Sequence, residues 1–198
     1  LYQTDRIKIK ARDGTKIPNS LIYKKGIDLK TAPILVYGYG SYGSIIDASF
    51  RKTMLPLIDR GFIFCISHIR GGSEMGRQWY EDGKMLKKKN TFFDFIDSTK
   101  GLLLNNIGDE KNVFAFGGSA GGLLMGAIIN YEPELYKGII SAVPFVDVLT
   151  TMSDESIPLT TFEYKEWGNP KFKEEYDYIK SYSPCLLYTS PSPRDTPI

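Results

Sequence analysis

The sequence predicts an α/β fold, a doubly wound and mostly parallel sheet with helices on both faces, from two observations. Short apolar runs alternate along the chain with longer segments whose apolar residues recur at helical spacing. The apolar runs are nearly continuous, which is typical of strands that are buried on both faces of a parallel sheet. With 198 residues, 42% of them apolar and 24% charged, the chain is long enough for one domain with a sizeable core.

The first predicted element is a β-hairpin. Apolar and polar residues alternate in Arg6 to Ala11, the dipeptide Asp13-Gly14 supplies a turn, and Lys16 to Tyr23 resumes the extended pattern. Two antiparallel strands therefore precede the alternating part of the chain.

The alternating part carries four apolar runs and three segments of helical spacing. Ligands of such sheets bind beyond the carboxyl ends of the strands, so residues that follow each run are candidates for a site. The predicted strands are Ile34 to Tyr37, Phe62 to Ser67, Val113 to Phe116 and Ile139 to Val143, and the predicted helices are Phe50 to Arg60, Thr91 to Leu104 and Leu123 to Asn130.

The last part of the chain changes character. Thr150 to Tyr182 is polar and aromatic, with a turn at Trp167 to Pro170, and is predicted to form helices and loops packed over the sheet. Cys185 to Ile198 is rich in proline, has no periodicity and has no plausible core partner, so we expect it to be disordered.

Charge and composition argue against several classes of partner. A net charge of +2 with interspersed signs gives no footprint for nucleic acid, and we interpret the basic run Lys87 to Lys89 as a solvated loop. No apolar stretch is long enough to cross a bilayer, so no membrane partner is expected. Cys65 lies in an apolar run, and two cysteines make no disulfide framework, which favours a reducing, cytoplasmic location. We expect no cofactor and no metal ion.

The strongest chemical signal is the run Gly117 to Gly122, which contains Gly-x-Ser-x-Gly between a predicted strand and a predicted helix. A turn from strand into helix is sharp, glycines on both sides give it room, and the hydroxyl of Ser119 is lifted clear of the sheet. The amide of Ala120 then points to the place where an oxyanion forms, at the positive end of the helix dipole.

Two other interpretations of this run are a glycine-rich turn that only ends a strand and a cradle for phosphate. A phosphate loop requires a Gly-Lys-Ser/Thr ending, which is absent here. The pattern therefore favours Ser119 as a nucleophile and the fold as an α/β-hydrolase.

An oxyanion needs a second donor, and hydrolases of this kind place it after the first parallel strand. The run Tyr37 to Tyr42 occupies that position, without the His-Gly-Gly of many esterases. The hydroxyl of Tyr39 is our candidate donor. Aromatic residues that pack this loop against the core are an equally good explanation of the residue types alone.

A serine nucleophile also needs a base and an orienting carboxylate, in the chain order Ser, Asp or Glu, His. The single histidine, His68, precedes Ser119 and stands at the end of a strand, so we interpret it as structural. Asp147 follows the strand after the nucleophile and could orient a histidine, but no histidine follows it. We therefore expect the base to be absent from this chain.

With these residues in hand, the chain resembles the prolyl oligopeptidase family of serine peptidases, and within it the oligopeptidase B group. Several long matches in the right order are more specific than Gly-x-Ser-x-Gly alone. They run from about Arg6 to Pro184. The most specific stretches are Tyr37 to Gly43, His68 to Arg77 with Trp79 and Tyr80, Gly117 to Met125, Val143 to Val148, and Pro158 to Pro170.

The resemblance implies roles for individual residues. Ser119 matches the nucleophile, and the hydroxyl of Tyr39 and the amide of Ala120 match the oxyanion hole. Glu163 matches the first of the acidic residues that select Arg or Lys in oligopeptidase B-like enzymes, and Tyr42 is expected to contact substrate beside it. The contact expected at Glu163 is a carboxylate paired with the guanidinium of a substrate arginine.

The chain departs from the family pattern at two positions. The second acid of the specificity pocket falls at Lys165, which would weaken cation binding. Asp47 matches an acid of the neighbouring subsite, and the companion of that acid is replaced by Ser49.

The resemblance also implies a division of the chain and a larger parent protein. Residues 1–184 would be a partial α/β-hydrolase catalytic domain, truncated before the last strands, and residues 185–198 an unrelated, artefactual tail. Relatives carry a β-propeller in front of the hydrolase domain and the catalytic Asp and His beyond the point where this chain stops.

The function implied is that of a serine endopeptidase that cleaves peptides after Arg or Lys through an acyl-enzyme on Ser119, with this segment alone nearly inactive. An acylaminoacyl-peptidase or esterase is a second interpretation. A noncatalytic binding module that keeps the fold is a third.

Overall fold

A computed structural model describes residues 1–187 and places six strands in one sheet. The strands are β1 (Tyr2–Lys10), β2 (Lys16–Lys24), β3 (Ile34–Tyr37), β4 (Ile63–Ser67), β5 (Val113–Gly118) and β6 (Gly138–Ala142). Their order across the sheet is β1-β2-β4-β3-β5-β6. The first two strands form an antiparallel hairpin and β2 is antiparallel to β4, whereas β4, β3, β5 and β6 are parallel.

Eight helices follow or connect these strands in the described part of the chain. They are α1 (Leu55–Asp59), α2 (Arg77–Glu81), α3 (Lys89–Leu104), α4 (Ala120–Tyr131), α5 (Val148–Ser153), α6 (Thr160–Trp167), α7 (Lys173–Lys180) and α8 (Pro184–Leu187). Short 3₁₀ turns at Lys52–Met54, Met85–Lys87 and Pro133–Leu135 complete the connections.

The parallel strands are buried on both faces, as their continuous apolar character predicts. Val36, Cys65 and Ala115 point to one face and belong to the main core with α3 and α4. Leu35 and Phe64 point to the other face and form a smaller cluster with α1. Because side chains alternate along a strand, both sets must be apolar, and this is why the runs look unbroken in the sequence.

The sheet topology places the candidate residues at one edge. β3 lies at the centre between β4 and β5, with Val36 opposite Cys65 on one side and Ala115 on the other. The residues that follow β3 and β5 therefore emerge side by side at the carboxyl ends of adjacent strands. These are the residues that the sequence singled out.

The predicted α/β architecture, the hairpin and the four parallel strands are confirmed, with small differences at the ends. The segment Phe50 to Arg60 is helical only from Leu55, since a 3₁₀ turn and the extended residue Arg51 precede it. Conversely, α4 begins at Ala120 and not at Leu123, directly after the nucleophile motif. None of the helices in residues 1–187 is long and apolar enough to cross a membrane.

Two predictions about local environment are wrong. Lys88 is not part of a solvated loop, because only 1% of its surface is exposed, although Lys87 beside it is solvated. Cys185 to Leu187 are not disordered, because they continue α8 from the buried Pro184, and the Cys185 amide donates to the Val146 carbonyl. The rest of the predicted tail, residues 188–198, lies outside the described residues.

Candidate active site

The backbone of Ser119 has the strained geometry that the motif predicts. Its φ of 56° and ψ of −117° lie where residues other than glycine are rarely found, and the side chain is exposed. The bend is fixed by its own backbone bonds. The Ser119 amide donates to the Ala142 carbonyl at 2.9 Å, and the Ser119 carbonyl accepts from the amides of Gly122 at 2.9 Å and Phe145 at 3.2 Å. The hydroxyl is therefore held clear of the sheet.

The two outer glycines of the motif are required by close approach. A Cβ atom on Gly117 would overlap the carbonyl oxygen of Gly121, so strand and helix could not turn this tightly with any other residue there. A Cβ atom on Gly121 would stand 2.8 Å from the carbonyl oxygen of Gly38, at the end of the neighbouring strand β3. The spacing Gly-x-Ser-x-Gly thus follows from backbone packing. The same close approach brings the end of β3 next to the bend at Ser119, which we call the elbow.

Ala120 opens α4, a helix of 12 residues. The first amides of a helix have no partner within the helix, and they stand at the positive end of its dipole. The Ala120 amide directly follows the exposed Ser119, so it is available to an oxygen of a group bound at the serine hydroxyl. This is the donor position that the sequence predicted.

Tyr39 approaches the Ser119 side chain from the loop that follows β3. Burial raises the pKa of its hydroxyl, and the nearby side chain of Ser119 opposes this increase in part. The phenol therefore remains protonated at neutral pH and can donate. The loop that carries it is pressed onto α3, since a Cβ atom on Gly38 would stand 2.8 Å from the ring of Phe95.

A cavity of about 270 Å³ opens beside Ser119. Its walls are aromatic, with Tyr42, Phe145 and Trp167 among the lining residues, and Glu163 is the acidic residue that lines it. The Glu163 Oε2 atom accepts hydrogen bonds from the hydroxyl of Tyr42 at 2.8 Å and from the Nε1 of Trp167 at 3.1 Å. The carboxylate is thus fixed in orientation at the wall of the cavity that contains the nucleophile.

Tyr42 is itself part of this arrangement. Its ring meets that of Trp167 edge-on, with centroids 5.7 Å apart, and its backbone has a φ of 59°. Burial and the neighbouring Glu163 raise the pKa of its hydroxyl, so Tyr42 stays a donor to the carboxylate.

The two positions where the chain departs from the family pattern lie away from this cavity. Lys165 is exposed on α6 and does not line the cavity. Asp47 is also exposed and outside it, whereas Ser49 lines a separate cavity of about 530 Å³ between the hairpin and α1. The larger cavity does not include Ser119.

His68 and Asp147 have other partners. His68 is buried, with its Nε2 atom 2.8 Å from the hydroxyl of Ser20 on β2. It directly follows β4, and β3 separates β4 from β5. Asp147 caps α5 by accepting from the amide of Thr150 at 3.4 Å. Within residues 1–187 neither residue is in place to serve Ser119.

Two residues that sequence reasoning missed support the site from behind. Glu166 is buried and accepts from the amide of Tyr42 at 2.9 Å and from the hydroxyl of Tyr80 at 2.6 Å. Lys88 donates to the loop between Tyr39 and Tyr42. Lys88 stands one helical turn before Phe92 and two turns before Phe95, both of which are in the core. It therefore lies on the same face of the helix as the apolar stripe of α3, and this spacing was a signal in the sequence that Lys88 points inward.

Comparison with known proteins shows which family the chain is similar to. The profile of the prolyl oligopeptidase family matches residues 48–193, and so extends beyond Pro184. Dipeptidyl aminopeptidase BI of Pseudoxanthomonas mexicana is 56% identical over 186 residues, and protease 2 of Moraxella lacunata is 52% identical over 184 residues. Each alignment covers 92% of this chain, but only 26% and 27% of those relatives.

Solved structures agree with this assignment. Oligopeptidase B from Leishmania major is 51% identical, with a TM-score of 0.91 over 94% of this chain and 26% of its own. Oligopeptidase B from Trypanosoma brucei, solved in a closed form with covalently bound antipain, is also 51% identical, with a TM-score of 0.90 over 92% of this chain and 26% of its own. The fold is therefore that of an α/β-hydrolase catalytic domain, and the chain belongs to the prolyl oligopeptidase family.

Proposed function

We propose that this chain is part of the catalytic domain of a serine peptidase that forms an acyl-enzyme on Ser119. One observation carries the proposal: an exposed serine on a strained elbow is flanked by the Ala120 amide and the Tyr39 hydroxyl. Neighbours of known structure are oligopeptidases, and one of them carries a covalently bound molecule. That likeness supports a nucleophilic mechanism.

In the proposed reaction the Ser119 oxygen attacks the carbonyl carbon of the scissile peptide, and a base removes the hydroxyl proton. The carbonyl oxygen becomes an oxyanion that accepts from the Ala120 amide and the Tyr39 hydroxyl. The amine leaves with a proton from the same base, and water then releases the acyl group from Ser119. Each oxyanion donor of this kind is worth roughly 10² to 10³ in kcat.

The base and its carboxylate are proposed to come from a segment of the full-length protein outside these 198 residues. His68 is engaged with Ser20, and Asp147 caps a helix, which supports this proposal. Without the base, the oxyanion hole and binding alone would leave roughly 10³ to 10⁴ of acceleration over water. The 198-residue chain is therefore expected to be nearly inactive by itself.

The proposed preference is for Arg or Lys before the cleaved bond. Support comes from Glu163, whose Oε2 accepts from Tyr42 and Trp167, whereas no group in residues 1–187 bonds to Oε1. That second oxygen is therefore proposed to bind a cation in the aromatic-walled cavity. A guanidinium in this place gains a charge-assisted hydrogen bond and contact with ring faces. Asp47, which is exposed outside this cavity, is proposed to contact the neighbouring residue of the substrate.

The test uses the full-length protein and a fluorophosphonate probe, which phosphonylates an activated serine with loss of fluoride. We expect the wild type to be labelled and Ser119→Ala to stay unlabelled. Ser141→Ala is the matched control, since Ser141 donates to the Gly122 carbonyl and is no part of the proposed machinery. Labelling that persists in Ser119→Ala would refute the proposal.

A second candidate is the release of dipeptides from free amino termini, because a relative 56% identical to this chain is named a dipeptidyl aminopeptidase. Peptides with free and with blocked amino termini separate the two activities: cleavage within blocked peptides favours the endopeptidase. Faster turnover of simple esters or acyl-peptides than of Arg peptides would instead favour the esterase or acylaminoacyl-peptidase interpretation. A full-length protein with no reactive serine would favour a noncatalytic binding module.

The remaining parts of the interpretation stay predictions. They are the β-propeller in front of this domain, the boundary at Pro184 and the cytoplasmic location.

A further inference from the structure

The ammonium group of Lys88 is buried beneath the loop that carries the candidate oxyanion donor. Its Nζ atom donates to the Gly40 carbonyl at 2.6 Å, to the Ser41 hydroxyl at 2.7 Å and to the Gly83 carbonyl at 3.2 Å. An ammonium has three N–H groups, so all three are used. Two of the three acceptors belong to the residues directly after Tyr39.

Burying this charge has a cost in lost hydration, which the contacts of the ammonium must offset. A buried charge is expensive unless a counter-charge repays its lost hydration. Within residues 1–187 no carboxylate oxygen lies within 4.0 Å of the Lys88 ammonium, and its charged neighbour Glu166 acts only through space. The Trp167 ring, 5.1 Å away, supplies a cation–π contact. An apolar side chain would leave the Gly40 carbonyl and the Ser41 hydroxyl without this donor, so the bonds to the loop are what offsets the cost of burial.

The loop that receives these bonds is one that does not hold its shape by itself. Gly40 has a φ of 67° and Tyr42 a φ of 59°, both in the left-handed region. The backbone of Gly40 also lies so close to α3 that a Cβ atom would overlap the side chain of Thr91. Such a conformation persists only where surrounding groups determine it.

Lys88 and Glu166 act on the loop from two sides. Lys88 binds Gly40 and Ser41, while Glu166 accepts from the Tyr42 amide. Between them they fix the direction of Tyr39, which precedes Gly40, and of Tyr42, which bonds to Glu163. Both halves of the proposed site, the oxyanion hole and the cation pocket, thus depend on one short loop.

We propose that Lys88 is a positioning residue, whose bonds to Gly40 and Ser41 aim the Tyr39 hydroxyl at the oxyanion and the Tyr42 hydroxyl at Glu163. This inference rests on the proposed function. Lys88 does not line the cavity beside Ser119, so it acts through the loop and not on the substrate.

The experiment replaces Lys88 by Met in the full-length protein and measures kcat and KM for an Arg peptide, together with the rate of fluorophosphonate labelling. Lys87→Met is the matched control, since Lys87 is exposed and pairs with Asp82 at the surface. We expect Lys88→Met to lower kcat and the labelling rate roughly 10²-fold, the loss typical of one oxyanion donor, and Lys87→Met to leave both unchanged.

A double-mutant cycle with Tyr39→Phe separates positioning from a general loss of structure. If Lys88 works through Tyr39, Lys88→Met should cost less than about threefold in kcat once the Tyr39 hydroxyl is gone, because the two changes remove the same interaction. An equal loss in both backgrounds, or no loss in the single variant, would overturn the inference.

A second variant keeps the test decisive if the first one is unstable. If Lys88→Met does not fold, Ser41→Ala takes its place, because it removes one of the three acceptors of the ammonium. Ser41→Ala should lower kcat by roughly tenfold when the Tyr39 hydroxyl is present and have little effect in Tyr39→Phe. Additive losses in kcat would overturn the inference. If labelling does not depend on Ser119, the proposed function fails and this inference fails with it. If labelling depends on Ser119 but not on Lys88, only the inference fails.

Discussion

The orientation of Glu163 makes a quantitative prediction about substrate choice. Replacing it by Gln keeps the size of the side chain and leaves an oxygen that can accept from Tyr42 and Trp167, which now bond to the carboxylate at 2.8 and 3.1 Å. What is lost is the negative charge that faces the cavity.

The magnitude follows from the kind of bond that is lost. The Gln oxygen stays with Tyr42 and Trp167, so the amide nitrogen takes the place of Oε1, and it is a donor that cannot accept from a cation. Hydrogen bonds to charged groups contribute about 1.5–3 kcal/mol, so the substitution should cost roughly 1.5–3 kcal/mol for a cationic substrate. At 25 °C this is about a 10- to 160-fold decrease in kcat/KM. A neutral substrate of the same shape should lose almost nothing.

The assay compares two peptides that differ only by arginine or citrulline before the cleaved bond, since citrulline has the shape of arginine without its charge. Full-length wild type and Glu163→Gln are measured with both, and Glu174→Gln, an exposed carboxylate on α7, is the control. We expect the loss for the arginine peptide alone, mainly as an increase in KM. Equal effects on both peptides would refute the assignment of Glu163 to the cation.

Three further predictions follow from the same geometry. Tyr39→Phe should lower kcat of the full-length protein about 10²- to 10³-fold with little change in KM, whereas an unchanged kcat would exclude the hydroxyl from the oxyanion hole. Gly117→Ala should lower the free energy of unfolding of this chain by more than about 2 kcal/mol in urea titrations, because its Cβ overlaps the Gly121 carbonyl; wild-type stability would contradict that packing. Burial lowers the pKa of Lys88 to about 8 from an ordinary 10.5. Between these two pH values the unfolded chain binds one more proton than the folded chain. The free energy of unfolding therefore rises with pH in this range, by at most about 1.4 kcal/mol per pH unit. The difference in stability between wild type and Lys88→Met should carry this slope, and a difference independent of pH would show that Lys88 titrates normally.

The strands and the elbow were predictable because their signals are local. Val36 and Cys65 stand in short apolar runs whose continuity requires both faces of the strand to be buried. The structure buries Val36 and Cys65 on one face and their neighbours in the runs on the other. The motif around Ser119 is equally local, since Gly117 and Gly121 contact each other across a single turn. Predictions of this kind depend on residues that are neighbours in sequence.

The supporting residues were harder to predict because their partners are distant in the chain. Lys88 bonds to Gly40, and Glu166 bonds to Tyr42, across 48 and 124 positions. A run of three lysines usually indicates a solvated surface. The helical spacing of Lys88 with the apolar residues of α3 predicts its burial only when α3 is known to pack under the loop after β3.

The residues of α6 beside the cavity were also hard to predict, because their orientation depends on packing. Glu163, Lys165 and Glu166 are all on α6, and their residue types do not tell which face of the helix meets the cavity. The packing decides: Glu166 and Trp167 are buried, Glu163 reaches the cavity wall, and Lys165 turns to solvent. The expected weakening of cation binding by Lys165 therefore acts at most through a screened, long-range charge.

The central claim is that the Ala120 amide and the Tyr39 hydroxyl converge on an oxygen bound at Ser119. A crystal structure of the full-length protein after reaction with a fluorophosphonate tests it most directly. We predict phosphorus bonded to the Ser119 oxygen and one phosphonyl oxygen about 2.7–3.1 Å from both the Ala120 nitrogen and the Tyr39 hydroxyl. An adduct on another residue, or a phosphonyl oxygen that contacts neither donor, would contradict it.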